Sequence, residues 1–165
     1  MPASNHLEGK PEIPTTEPAL DIETAARLRT AIGRLSRSLR TTAAGKAAGL
    51  TPTGISLLLN VDRKGPMRLS ELAAAEGINP TMLSRIVVGM VQDGLLERVS
   101  DEDDRRAAWV KATAAGRRLA ERMRRERTGA LNEALSALPE ADCIRIERAL
   151  PALEALAEAM RGGRP

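Results

Sequence analysis

The segment from Met67 to Gly116 constrains this chain more than any other. Helix signals, glycine stops and strand-like runs alternate there over fifty residues. Met67, Arg68 and Leu69 form an apolar-polar-apolar run after Gly65-Pro66, enough for a short edge strand. Ser70 can cap a helix, with Glu71 near the positive end of its dipole, and Gly77 supplies the stop. Asn79-Pro80 starts a second helix, with Asn as cap and Pro in the first turn, running to about Asp93 and closed by Gly94. Two strand-like runs follow, Leu95 to Val99 and Ala107 to Lys111, around a charged tip. The order is helix, turn, helix, wing.

The second helix has two faces. Leu83, Ile86, Val87 and Met90 recur at helical spacing and should pack inward. Thr81, Ser84, Arg85 and Val88 fall at i, i+3, i+4 and i+7 and should point outward together. Hydroxyls and a guanidinium on the early turns of one face suit a helix that meets base edges and phosphates; they also suit a plain solvated face. The tip reads Ser100-Asp101-Glu102-Asp103-Asp104-Arg105-Arg106. Four acids beside two arginines are poor material for general phosphate binding. They could hold one arginine aimed at a narrow minor groove. Taken alone, the tip reads as a solvated hairpin end with ion pairs worth about 0–1 kcal/mol each.

The run from Leu50 to about Leu119 is similar to the DNA-binding core of the MarR family of bacterial transcription regulators. Three pieces carry the resemblance: Leu69-Ser70-Glu71-Leu72-Ala73; Leu83-Ser84-Arg85 through Gly94-Leu95-Leu96-Glu97-Arg98; and Asp104-Arg105-Arg106 with Val110, Thr113 and Gly116. Ala112 stands where the family usually has Leu, a small packing change. The resemblance implies DNA contacts from Thr81, Ser84 and Arg85 on the recognition helix. It also implies wing contacts from the Asp104, Arg105 and Arg106 run, with Arg106 in the minor groove and Asp104 orienting it. It further implies a homodimer and a small, often anionic or aromatic effector between the helical dimer region and the winged domain. The Arg-rich start of the helix after the wing, with Trp109 nearby, could line such a site; Trp109 suits packing within the wing better.

The flanks supply what a winged unit lacks. Residues 1–20 carry four of the ten prolines and read as a disordered tail. The sole histidine, His6, lies there and cannot build a metal or catalytic site by itself. Asp21 caps a long helix to Ala44, and Leu28, Ile32, Leu35 and Leu39 repeat along it as a pairing seam. Gly45 to Gly49 breaks it, and Thr51-Pro52 starts the next helix. Thr113 caps a helix to about Leu138, in which Gly129 permits a bend. The last helix runs from about Pro139 to Met160. Cys143, Ile146, Leu150, Leu153, Ala157 and Met160 make a heptad seam along it, and Pro151 should kink it or shift its start. Cys143, the single cysteine, permits no intrachain disulfide and reads as a small apolar residue of that seam.

The fold expected is therefore mainly α (α+β): a winged helix-turn-helix with a small β-wing between N- and C-terminal dimerisation helices. Its parts are a tail over 1–20, the N-terminal dimerisation helix over 21–50, the DNA-binding domain over 51–112 and the C-terminal helices over 113–161. Phe and Tyr are absent and Trp occurs once, so the core must be aliphatic, Met and Ala. Charge is uneven: residues 21–50 carry net +4, 111–128 net +5, and 67–110 net −3. Net charge thus supports DNA binding in the flanks and not in the reading unit, where aimed side chains and helix N-termini must act.

The function expected is sequence-specific binding of double-stranded DNA by a ligand-responsive repressor, as a homodimer on a pseudo-palindromic operator. The competing reading is a winged-helix protein–protein assembly module, for which the net −3 is the best support. No nucleophile–base pair, Gly-rich phosphate loop or metal-ligand spacing points to an enzyme, a cofactor or a metal. No apolar run spans a membrane and no signal pattern opens the chain, so a cytoplasmic location is expected.

Overall fold

The computed structural model describes residues 21–100 and 108–162. Among them seven helices and three short strands follow in the order α1 Ile22–Ser38, α2 Ala43–Ala47, α3 Pro52–Lys64, β1 Met67–Arg68, α4 Leu69–Glu76, α5 Pro80–Gln92, β2 Leu96–Ser100, β3 Ala108–Ala112, α6 Ala114–Ser136 and α7 Glu140–Gly162. The chain divides into two compact units after Leu35, within α1.

Most helix starts are set by short polar side chains, as the sequence dictates. At α1, Asp21 Oδ1 accepts from the Thr24 amide at 2.7 Å. At α3, Thr51 accepts from the Gly54 amide at 3.1 Å, with Pro52 in the first turn. At α5, Asn79 Oδ1 accepts from the Thr81 amide at 2.8 Å. At α6, Thr113 Oγ1 accepts from the Gly116 amide at 3.0 Å. Each contact satisfies an amide that has no carbonyl partner in its own helix.

Three local expectations need correction. Ser70 does not cap α4; that helix starts two residues earlier, straight out of β1, with Arg68 at the cap position and no side-chain cap bond. The first long helix stops at Ser38 rather than Ala44. Thr42 then caps the separate short helix α2, accepting from the Gly45 amide at 3.1 Å. Gly45 does not break a helix. It lies buried inside α2, where a Cβ would stand 2.5 Å from Ile55 Cδ1, so its missing side chain lets α2 press on α3.

The wing is part of a three-stranded antiparallel sheet in the order β1-β3-β2. The two-residue strand β1 pairs Met67 with Val110 and Arg68 with Trp109. On the other side of β3, Leu96 pairs with Ala112 and Arg98 with Val110. Arg68 stacks over the Trp109 ring, 5.3 Å from its centroid, so the lone aromatic packs within the sheet as expected. Ala112, the departure from the family pattern, is buried against the core.

The core lies between α3, α4, α5, the sheet and the first half of α6. Leu58, Val61, Leu72, Val87, Val110 and Met123 are fully enclosed there. Burial of each such side chain stabilises the fold by about 1.5–3 kcal/mol. α6 docks through Gly116, Leu119, Ala120 and Met123. A Cβ on Gly116 would overlap the Leu95 carbonyl oxygen, so only glycine lets the helix come this close to the entry of β2. Thr113 Oγ1 also donates to the Gly94 carbonyl at 2.6 Å, fixing the same junction.

α7 differs from everything above. None of its described residues is buried, and Ile144, Ile146, Leu150, Leu153, Leu156 and Met160 are exposed. Pro151 lies inside it without splitting it. Cys143 is half-buried, and its thiol donates to the Leu135 carbonyl at 3.4 Å. Among the described residues, no helix is long and apolar enough to cross a membrane.

Candidate nucleic-acid interface

The geometry of α5 follows from its two ends and its buried face. Asn79 and Pro80 fix where it begins, and Gly94, at φ 69°, lets the chain turn away after it. Leu83, Val87 and Met90 are buried and Ile86 half-buried, so the helix cannot rotate about its axis without exposing them. The opposite face is thereby set. Thr81, Arg85 and Val88 are exposed together, as their spacing predicts. Ser84, grouped with them in the sequence reading, is half-buried at the margin of this face. Asp104, Arg105 and Arg106, the wing-tip candidates, lie outside the described residues.

Two features of this face were not found from the sequence. Met82 is exposed beside Arg85. It lies three residues before Arg85, so helical spacing alone could have found it; the outward series counted from Thr81 passes it by. The second feature is a groove of about 550 Å³ between the starts of α3 and α5, where Thr51 and Thr53 meet Thr81, Met82 and Arg85. The Thr-Pro and Asn-Pro starts are each legible in the sequence, but their juxtaposition depends on how α3 packs. Two helix N-termini beside a guanidinium give this groove a positive character, which the net charge of the segment hides.

The basic start of α6 is largely engaged in holding the fold. Arg117 donates to the Ala112 carbonyl at 2.8 Å, closing the end of β3. Arg124 pairs with Asp62 at 2.6 Å and with Glu121 at 3.0 Å. The hydrogen bond to Asp62 is the main reason its guanidinium holds its proton more firmly than usual. Arg125 pairs with Glu121 at 3.3 Å. Glu126 accepts from the Ala44 amide at 3.1 and 3.2 Å and so helps to tether α2 to α6. Arg118 and Arg122 remain exposed.

A second groove, of about 650 Å³, lies between α3, the end of α4 and α6, lined by Ser56, Asn60, Glu76, Arg124 and Arg127 among others. Asn60 Nδ2 donates to Glu76 Oε1 at 3.0 Å. Asn60 Oδ1 and Arg127 Nε are buried and reach no hydrogen-bond partner among the described residues. Burial makes the Arg127 guanidinium easier to deprotonate than usual. Buried donors and acceptors left unmatched cost free energy, which a polar ligand offering the complementary groups would recover. Trp109 does not line this groove; Arg124 and Arg127, from the Arg-rich stretch that opens α6, do.

Comparison with known proteins agrees with this architecture. The MarR family model matches residues 50–108. A solved protein of Pseudomonas aeruginosa PA01, described as a transcriptional regulator, is 30% identical, with a TM-score of 0.67; the match covers 83% of this chain and 96% of that one. An HTH-type transcriptional regulator of Mycobacterium tuberculosis is 29% identical over 118 residues, 72% of this chain and 81% of its own. The crystal structure of a transcriptional regulator from Thermotoga maritima is 23% identical, covering 87% of this chain and all of that one, with a TM-score of 0.69. The winged frame, the exposed face of α5 and these likenesses converge: the chain belongs to the MarR family of DNA-binding transcription regulators.

Proposed function

We propose that this chain is a ligand-responsive repressor that binds a pseudo-palindromic double-stranded DNA operator as a homodimer in the cytoplasm and carries out no enzymatic turnover. The exposed face of α5 carries the reading. A helix held at both ends and along its back presents Thr81 and Arg85 to solvent, the chemistry of major-groove contact. Ser84, at the margin of the face, reaches the flanking phosphate backbone. The wing run of Asp104, Arg105 and Arg106 places one guanidinium, that of Arg106, in the adjacent minor groove.

The uncovered apolar side of α7 supports the homodimer, because so many exposed Ile and Leu side chains on one helix mark an association surface. A twofold dimer presents two copies of α5 to half-sites about one helical turn apart. The Asn60–Arg127 groove supports the effector, a small anionic molecule whose acceptors meet Arg124 and Arg127. It acts on DNA binding only through a difference in affinity between two dimer geometries.

A titration followed by fluorescence anisotropy at fixed salt tests this reading. Overlapping duplexes from upstream of the protein's own gene are compared with a shuffled duplex. The wild type should prefer one duplex. Arg85→Ala and Arg106→Ala should each weaken that preference by about 1–3 kcal/mol, the worth of one good groove contact. Equal weak binding of every duplex, unaltered by either substitution, would favour the assembly-module reading, which the net −3 of residues 67–110 supports.

A further inference from the structure

Every large apolar side chain of the winged core has somewhere to go except two. Between α2 and the first half of α6, the exposed large hydrophobics among the described residues are Met82 and Val88, at 57% and 42% exposure. The other exposed ones lie on α1, the second half of α6, the α6–α7 turn and α7. Met82 and Val88 both sit on α5, on the face that carries Arg85. At about 100° per residue, Arg85 lies near the middle of the exposed arc, with Met82 roughly 60° to one side and Val88 roughly 60° to the other. Along the axis each is three residues from Arg85, so the two stand about 9 Å apart.

An apolar side chain entering the major groove meets one apolar group on the base edges, the 5-methyl of thymine. A guanidinium between two such side chains meets guanine O6 and N7. Bases follow one another at about 3.4 Å along a strand, so 9 Å spans two to three base pairs. We propose that Met82 and Val88 are specificity residues that read thymine methyl groups on either side of a base pair contacted by Arg85. DNA is the occupant that the face fits: the paired N-termini of α3 and α5 complement phosphate and Arg85 a base edge, while the two apolar side chains add selectivity that charge alone cannot give.

The inference rests on the DNA-binding reading, and its test separates the two. Once a preferred duplex is in hand, each thymine of one half-site is replaced in turn by deoxyuridine, which removes only the methyl. Affinities are measured by anisotropy at fixed salt for wild type, Met82→Ala and Val88→Ala, with thermal unfolding of each variant recorded alongside. Both side chains are exposed, so the variants should unfold as the wild type does. Two positions, two to three base pairs apart, should each lose about fourfold in wild-type affinity, the worth of one buried methyl. One of these losses should vanish in Met82→Ala and the other in Val88→Ala. A wild type indifferent to every deoxyuridine overturns the inference and leaves the DNA reading standing. So does a loss that persists unchanged in both variants, because the methyl contact then belongs to other residues. Absence of any preferred duplex overturns the DNA reading and the inference together.

Discussion

The winged core and α7 are built from the same few side chains, yet they end in opposite states. In the core, Leu57, Leu58, Leu72, Leu83 and Leu96 are sealed. In α7, Leu150, Leu153 and Leu156 are at least 38% exposed, and Ile144 and Ile146 stand with them. Composition does not separate the two regions; the number of surfaces each can reach does. Helices α3 to α6 surround one another and the sheet, so each apolar stripe finds another. α7 has a wide apolar side that the described residues leave uncovered. A protein interior and an association surface are thus the same chemistry, told apart by whether the partner lies on the same chain.

Removing α7 gives the largest contrast. A chain ending at Leu138 should unfold cooperatively, because the core does not depend on the helix, and it should sediment as a monomer where the full chain should sediment as a dimer. A dimer that survives the truncation would break the assignment of α7 as the association surface. Leucine for leucine, the same comparison can be made in place. Leu58→Ala should cost about 2–5 kcal/mol in urea unfolding at any protein concentration, since it leaves a cavity in a sealed core. Leu153→Ala should cost little in the separated monomer and show its effect only as weakened association on dilution. Equal, concentration-independent losses would erase the distinction.

Two glycines of α6 sharpen it within one helix. Gly116→Ala drives a methyl into the Leu95 carbonyl and should cost about 1–3 kcal/mol in thermal unfolding. Gly129→Ala meets open space on an exposed stretch and should stabilise by roughly 0.5–1 kcal/mol. Were both neutral, the close docking of α6 would be in doubt. The smallest effect is expected at Asp21. The Thr24 amide and hydroxyl hold its carboxyl below the ordinary value. A lowered folded value means that the cap stabilises α1 above the unfolded carboxylate pKa of about 4 and is lost as pH falls through the folded value. Protection of the Thr24 amide, measured against the unfolded-chain exchange rate at the same pH, should therefore fall in that acid range, and Asp21→Asn should remove that fall.

Much of the fold was legible because it is written locally. The caps at Asp21, Thr51, Asn79 and Thr113, the left-handed stops at Gly77 and Gly94, and the inward series Leu83, Val87 and Met90 are each decided within a few residues. The errors fell where a distant partner overrode the local signal. Ser70 offered a good cap, but pairing of Met67 and Arg68 with β3 delivered the chain into α4 two residues sooner. Gly45 looked like a breaker because its contact, Ile55, lies on the next helix. That Arg117 and Arg124 hold the fold has no local signal, because the Ala112 carbonyl and Asp62 that they meet are set by packing.

The candidate site divides in the same way. Thr81, Arg85 and Val88 share a face by helical spacing alone. That Ser84 is withdrawn, and that Thr51 and Thr53 face them across a groove, depends on how α5 is seated against α3. The sequence by itself determined the elements, their ends and their apolar stripes, because hydrogen-bond capping and side-chain periodicity act over one or two turns. Only the tertiary structure decided which stripes meet, which glycines must stay bare and which apolar side chains remain uncovered, because those outcomes are set by contacts between residues far apart in the chain.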